Sequence, residues 1–166
     1  DLIIIKGDTA QYGAFRTSLM GGDSTGYLDA PLANFTGRVV AITGDGFTIG
    51  TSTVTNTNSV TYYWTAYGNA WNPKTNTGAT DFYIGGYHGN GIDDRNITGL
   101  PYLADLVVIK NTGSTYKGVW KSSELSTTNS GFFDGTAETT NYIQALSSDG
   151  FQVGTCSRVV NYAGIL

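Results

Sequence analysis

Thirteen carboxylates, nine Lys and Arg, one histidine and one cysteine are the groups with which this 166-residue chain could do chemistry. The histidine stands in His88-Gly89-Asn90-Gly91. A Ser-His-Asp or Cys-His system would need such a base beside a nucleophile, and no G-x-S-x-G elbow accompanies it. His88 therefore reads as an exposed turn residue. Cys156 reads as a small core or surface residue, since one His and one Cys do not make a zinc site and a lone Cys makes no internal disulfide. Gly89-Asn90-Gly91 has the glycine spacing of a phosphate loop. No Gly-Lys-Ser/Thr follows it and no helix opens after it, so it lacks the geometry that binds an anion.

The carboxylates could do glycoside hydrolysis if two faced each other across a cleft. The recurring ones have simpler uses. Asp45 and Asp149 each precede a glycine in a hairpin signal, and Asp29 and Asp134 close the phrases GYLD and GFFD. All four are expected to hold turns through side-chain-to-backbone hydrogen bonds. Asp93-Asp94 could offer hard oxygen ligands to Ca²⁺, although the spacing is not that of an EF-hand. No other cofactor is expected. Lys6 and Lys110 each end an apolar run. Such a Lys, buried beside an acid, can form an isopeptide bond with Asn or Asp. The simpler reading packs its stem on the sheet and leaves the ammonium at the strand end. Trp64, Trp71 and Trp120 could stack on sugar rings. Trp64 lies in a strand-like run and is expected in the core; Trp71 is the candidate for contact with a ligand or neighbour. These readings point to a chain that is not an enzyme.

The elements that carry these residues occur twice. DLIIIK at Asp1 to Lys6 returns as DLVVIK at Asp105 to Lys110, an offset of 104, and GDGFTIGT at Gly44 returns at the same offset as SDGFQVGT at Ser148. With a slip of one residue, AFRTS at Ala14 matches VWKSS at Val119, and GYLD at Gly26 matches GFFD at Gly131. Ordered matches of this kind mark an internal duplication. The copies differ at their ends. The second has a lead-in, Asp81 to Ala104, that the first lacks. The first has a tail, Ser59 to Trp71, that the second lacks. Three explanations stay open: a window of a longer array, a circularly permuted module, or strand exchange between subunits. A sheet missing a strand exposes an edge that another strand can fill. Asp1 is not a natural start residue, so the chain reads as processed or excised.

Composition favours strands. Charged residues make up 13%, glycine numbers 23 and tyrosine 11. Good helix formers are scarce, and β-branched and aromatic residues are plentiful. Thr61 to Tyr67, Asp81 to Tyr87, DLIIIK and DLVVIK read as strands, the last two as central strands buried on both faces. Asp45-Gly46 and Asp149-Gly150 read as hairpin turns with positive φ. One short helical turn is expected within Ala137 to Ala145. The net charge of −4, with no basic cluster, argues against a nucleic-acid partner. No apolar run is long enough to insert in a membrane.

The phrases YHGNGIDDRNITGL, ADLVVIK, SSDGFQVGT and VTYYWTAYG, in that order, resemble a family of tandem β-sandwich repeats of about 100 residues each. These occur in large secreted or surface proteins of bacteria and in phage tail-associated proteins. Tyr87, Gly89, Gly91, Ile97, Gly99, Asp105, Lys110, Asp149, Gly150, Phe151 and Gly154 fit its pattern. Leu103-Ala104 departs from it, where the family often has Phe and Pro. The resemblance implies extracellular, structural or adhesive modules and no catalytic site.

The fold expected is all-β: tandem antiparallel, jelly-roll-like β-sandwich repeats offset by 104 residues. Residues 1–68 form a first repeat lacking its opening strands, 69–80 a linker, and 81–166 a second repeat lacking its closing strand. The function expected is a structural module at the cell surface, outside the cell or on a virion tail. It would join copies of itself, or neighbouring repeats, head to tail into a fibre or surface layer. Asp1, Leu2, Ile3, Ile4, Ile5 and Lys6 would donate a strand, and Val159, Val160 and Tyr162 would border the accepting edge, with Trp71 a further contact. The alternative is an adhesive module that binds surface glycans.

Overall fold

The computed structural model describes residues 1–67, 82–113, 115–126, 128–156 and 161. The chain is all-β, and no helix occurs among the described residues. In the N-terminal half the strands are β1 (Leu2–Gly7), β2 (Ala14–Thr17), β3 (Gly26–Tyr27), β4 (Val39–Ile42), β5 (Phe47–Ile49) and β6 (Tyr62–Tyr67). In the C-terminal half they are β7 (Arg95–Thr98), β8 (Leu106–Ile109), β9 (Val119–Ser122), β10 (Asn129–Phe132), β11 (Thr139–Thr140), β12 (Ile143–Ser147) and β13 (Gly150–Val153). The helical turn expected within Ala137 to Ala145 is replaced by β11 and the start of β12. Thr139, Thr140 and Ile143 are β-branched, which suits that outcome.

Every strand pair is antiparallel. The N-terminal half holds one sheet in the order β3-β2-β1-β6 and a separate hairpin, β4-β5. The C-terminal half holds β11-β10-β9-β8 and β12-β13-β7. DLIIIK is thus a central strand: Ile3, Ile5 and Gly7 are buried, while Leu2 and Ile4 are half-buried. DLVVIK is not. It forms β8, at the end of its sheet, because the strand type that flanks β1 on its other side has no counterpart here among the described residues.

Both Asp-Gly pairs stand at hairpins, as their sequence suggests, but for another reason. None of Asp45, Gly46, Asp149 and Gly150 has positive φ. Gly150 lies in β13, where a Cβ would come within 1.9 Å of the Ile97 carbonyl oxygen of β7. Its glycine serves close backbone approach rather than turn geometry. Positive φ falls instead at Gly37 (73°) and Asn141 (72°), just ahead of β4 and β12. Each hairpin carries a register irregularity at matching places, between Val39 and Ala41 and between Ile143 and Ala145.

Each half has its own buried apolar cluster. One gathers Ile5, Ala14, Tyr27, Ala30, Val39 and Val54. The other gathers Ala104, Val107, Val119, Ile143, Phe151 and Val153. The halves touch where the Gly118 amide donates to the Leu28 carbonyl at 2.9 Å and the Lys110 ammonium to the Leu32 carbonyl at 3.3 Å. The linker expected at 69–80 lies outside the described residues.

Candidate functional site

The groups best placed to meet another molecule are the ends of the sheets. In an antiparallel ladder, alternate residues turn their N–H and C=O to opposite neighbours. The Ser18 amide donates to the Asp1 carbonyl on the β2 side, and the Asp8 amide donates to the Thr61 carbonyl on the β6 side. That alternation aims Leu2, Ile4 and Lys6 at β6, whose register on β1 runs from Leu2↔Tyr67 to Gly7↔Tyr62. In β8 the Ser123 amide donates to the Asp105 carbonyl, the same arrangement on the β9 side. Leu106 and Val108 therefore aim their backbone groups away from β9, where no described strand pairs with them. Their side chains are 58% and 42% exposed, whereas Leu2 and Ile4 beneath β6 are half-buried.

β6 is itself the end of its sheet. Tyr63, Trp64 and Tyr67 are all exposed, on both faces of the strand. Trp64, expected in the core, is 61% exposed and meets the Phe47 ring edge-to-face at 5.4 Å. A strand at the edge with no layer above it has little to bury a ring against. The equivalent phenylalanine of the other half, Phe151, packs on Tyr87 of the lead-in at 6.0 Å. A third open end is β5. Its hairpin mate is β4, and no described strand takes the place that β7 holds beside β13. A Cβ on Gly46 would meet only the Thr43 hydroxyl, at 3.9 Å.

The described Lys and Arg side chains are bonded within the scaffold. Lys6 donates to the carbonyls of Gly7 and Thr9, each at 2.7 Å. Lys110 donates to the carbonyls of Asn111, Tyr116 and Leu32. Half-burial lowers the Lys110 pKa to about 8. Both lysines fasten the turn after their strand. The guanidinium of Arg16 is buried and donates to the carbonyls of Met20, Gly22 and Ser24. Buried Lys121 donates to Ser126 and Asn129 in the same way. Asp134 pairs with Lys117 and also accepts from the Thr136 amide, which holds its pKa down at about 2.

Two residue pairs that sequence reading passed over tie the layers. The Thr25 hydroxyl accepts from the Val39 amide at 3.1 Å and donates to its carbonyl at 3.0 Å. The Ser130 hydroxyl does both with Ile143, each at 2.9 Å. Buried Asn161 was also missed. Its side chain accepts from the Asn90 amide at 2.9 Å, donates to the Ile92 carbonyl, and so shapes the His88–Gly91 turn. A buried Asn with no repeat partner has no signal in composition or pattern.

The other expected sites fall as follows. Asp1 through Lys6 make β1 and its flank, which is paired on both sides within the chain. Donating that strand to another subunit would require both ladders to open. Trp71, Val159, Val160 and Tyr162 lie outside the described residues. His88 is exposed, and its carbonyl accepts from Arg95. The Asp93 carboxylate accepts from the Asp94 amide and the Gln144 side chain. No cluster of three or more His, Cys, Asp or Glu that could hold a metal ion occurs among the described residues. No described helix is long and apolar enough to cross a membrane. A shallow cleft of about 230 Å³ lies where the halves meet, lined by Pro31, Tyr116, Lys117, Phe132, Asp134 and Tyr142 among others.

Compared with known proteins, the chain matches no family model, no curated protein and no solved structure.

Proposed function

We propose that this chain is a non-catalytic structural protein: two tandem β-sandwich modules that assemble head to tail through their open sheet edges. The single observation that carries this reading is the contrast between two strands of nearly the same sequence. β1 is sealed by β6, and β8 keeps Leu106 and Val108 exposed with their backbone groups unpaired among the described residues. An unpaired apolar edge is a template for another strand, and natural proteins usually blunt such an edge with charge or proline. β8 has neither between Asp105 and Lys110.

The tandem arrangement is supported residue by residue. Thr25 and Ser130 make the same two hydrogen bonds, to Val39 and Ile143. Arg16 and Lys121 each gather the carbonyls of the loop that follows. The Gly50 amide donates to Arg38 as the Gly154 amide does to Tyr142. The low share of charged residues suits lateral contact between such modules, since it limits repulsion. The resemblance in the sequence suggests a location outside the cell, on a surface or on a virion tail.

The test is the assembly state of purified residues 1–166, by light scattering and negative-stain microscopy over a range of concentrations. Growing assemblies are expected for the parent chain, and monomers for Leu106→Lys/Val108→Lys. A chain that stays monomeric at every concentration sinks the proposal. Removing residues 1–6 would be a poor test, because it takes out the central strand of a sheet. A second reading, glycan binding, draws on the cleft at the junction, where Tyr116, Phe132 and Tyr142 offer ring faces beside the Lys117–Asp134 pair. A glycan array probed with the monomeric Lys variant separates it from the first.

A further inference from the structure

We propose that the occupant of the β8 edge is the outer edge of β6 in a second copy of this chain, so that one sheet runs β3-β2-β1-β6 and continues into β8-β9-β10-β11 of the neighbour. This rests on the structural reading above and names the partner surface. Three observations converge on it.

The first is complementarity already built into the chain. β6 lies along a DLIIIK strand over six paired residues, and β8 is the DLVVIK strand. In the assembly β6 has a strand of that sequence on each side. The second is stoichiometry. Among the described residues each chain has two strands of the DLxxIK type and one strand of the β6 type. Moving β6 from its own β1 to a neighbour's β8 would only shift the vacancy, with no bond gained. Keeping β6 on β1 and using its free side fills the neighbour's edge at no such loss. In this contact each chain offers β6 as the donor edge and β8 as the acceptor edge, a heterologous contact that repeats without closing. The third is exposure. The ladder with β1 uses the backbone groups of Tyr63, Thr65 and Tyr67, which leaves those of Tyr62, Trp64 and Ala66 aimed outward. No described strand pairs with that side, although Phe82 stacks on the Tyr67 ring at 5.1 Å, and Tyr63 and Trp64 are exposed on opposite faces. A neighbour's Leu106 and Val108 would lie beside those rings, joining two described strands with exposed apolar side chains.

The test uses proline at amides that point outward. Ala66→Pro and Val108→Pro each remove one outward N–H and spare the internal ladder, the position where an edge strand tolerates proline. Each variant alone is expected to stay monomeric by light scattering where the parent chain assembles. Mixed one to one, they form a dimer and stop, because Ala66→Pro still offers β8 and Val108→Pro still offers β6. Circular dichroism checks the fold of each. Should a proline variant fail to fold, Trp64→Lys and Leu106→Lys give the same pair of blocked edges. If the Ala66→Pro and Trp64→Lys variants assemble like the parent, the partner edge is not β6, although edge assembly itself stands. If the mixture stays monomeric, the proposed pairing is wrong. If the parent chain never assembles, the broader reading falls with it.

Discussion

Apart from β11, which the N-terminal half matches only by the Thr25↔Phe35 bridge, the two halves differ in two described strands, β6 and β7, one in each half. The N-terminal half has β6 beside β1 and, apart from its hairpin mate β4, no described strand beside β5. The C-terminal half has β7 beside β13 and nothing described beside β8. What they share is the frame: a buried hydroxyl holding the start of the second hairpin, a buried cation holding a loop, and a glycine next to a positive-φ residue. The comparison teaches that these polar contacts, made by short-range geometry, build each half. The flanking strands β6 and β7 are separate from that frame, and each half keeps its own buried cluster without a described counterpart to the other's.

The strongest way to break this comparison is at the hairpin glycines. Gly150→Ala would drive a methyl group into the Ile97 carbonyl, 1.9 Å away, and should cost about 3 kcal/mol. Gly46→Ala, at the matching position with no described strand beside it, should change stability by less than about 0.5 kcal/mol. Urea denaturation of both variants checks this. Equal costs would mean that β5 has a neighbouring strand after all.

Where the halves share a contact, they should respond alike. Thr25→Val and Ser130→Ala each strand a buried amide and carbonyl, and each should cost about 1–3 kcal/mol. A cost confined to one half, read by the same denaturation, would mean that the matching geometry carries different weight. The smallest effect is one of pH. Lys110, half-buried between the halves, has its pKa lowered from 10.5 to about 8. Between those values the unfolded chain holds the proton and the folded chain releases it. Stability should therefore rise as pH increases from about 8 to 10.5. Below pH 8 both states are protonated and the slope from this group vanishes. In Lys110→Met the rise should be smaller, since Lys121, also lowered by burial, keeps its own share.

Much of the fold could be read from the residues. Thr61 to Tyr67 as a strand, both hairpins, and the central place of DLIIIK follow from β-branched runs broken by Asp-Gly. The reason for Gly150 could not be read, because it depends on β7, more than fifty residues earlier in the chain. DLVVIK was misplaced for a similar reason: whether a strand is central depends on its neighbour, and the same phrase has one in only one half. Trp64 looked like core because its strand is apolar, but an end strand has no layer to cover it. Arg16 and Lys121 stood in the matched phrases AFRTS and VWKSS, yet nothing in a phrase says that a cation will meet carbonyls. That no described strand pairs with the outer side of β8 emerged only from the ladder.

The most direct test of the account is amide hydrogen exchange in dilute, monomeric protein, comparing Ile4 with Leu106 and Val108. The account predicts a slow Ile4 amide, bonded to β6, and Leu106 and Val108 amides that exchange almost as fast as an unstructured chain. Protection of Leu106 and Val108 equal to that of Ile4 would show that the β8 edge is already filled, and would contradict it.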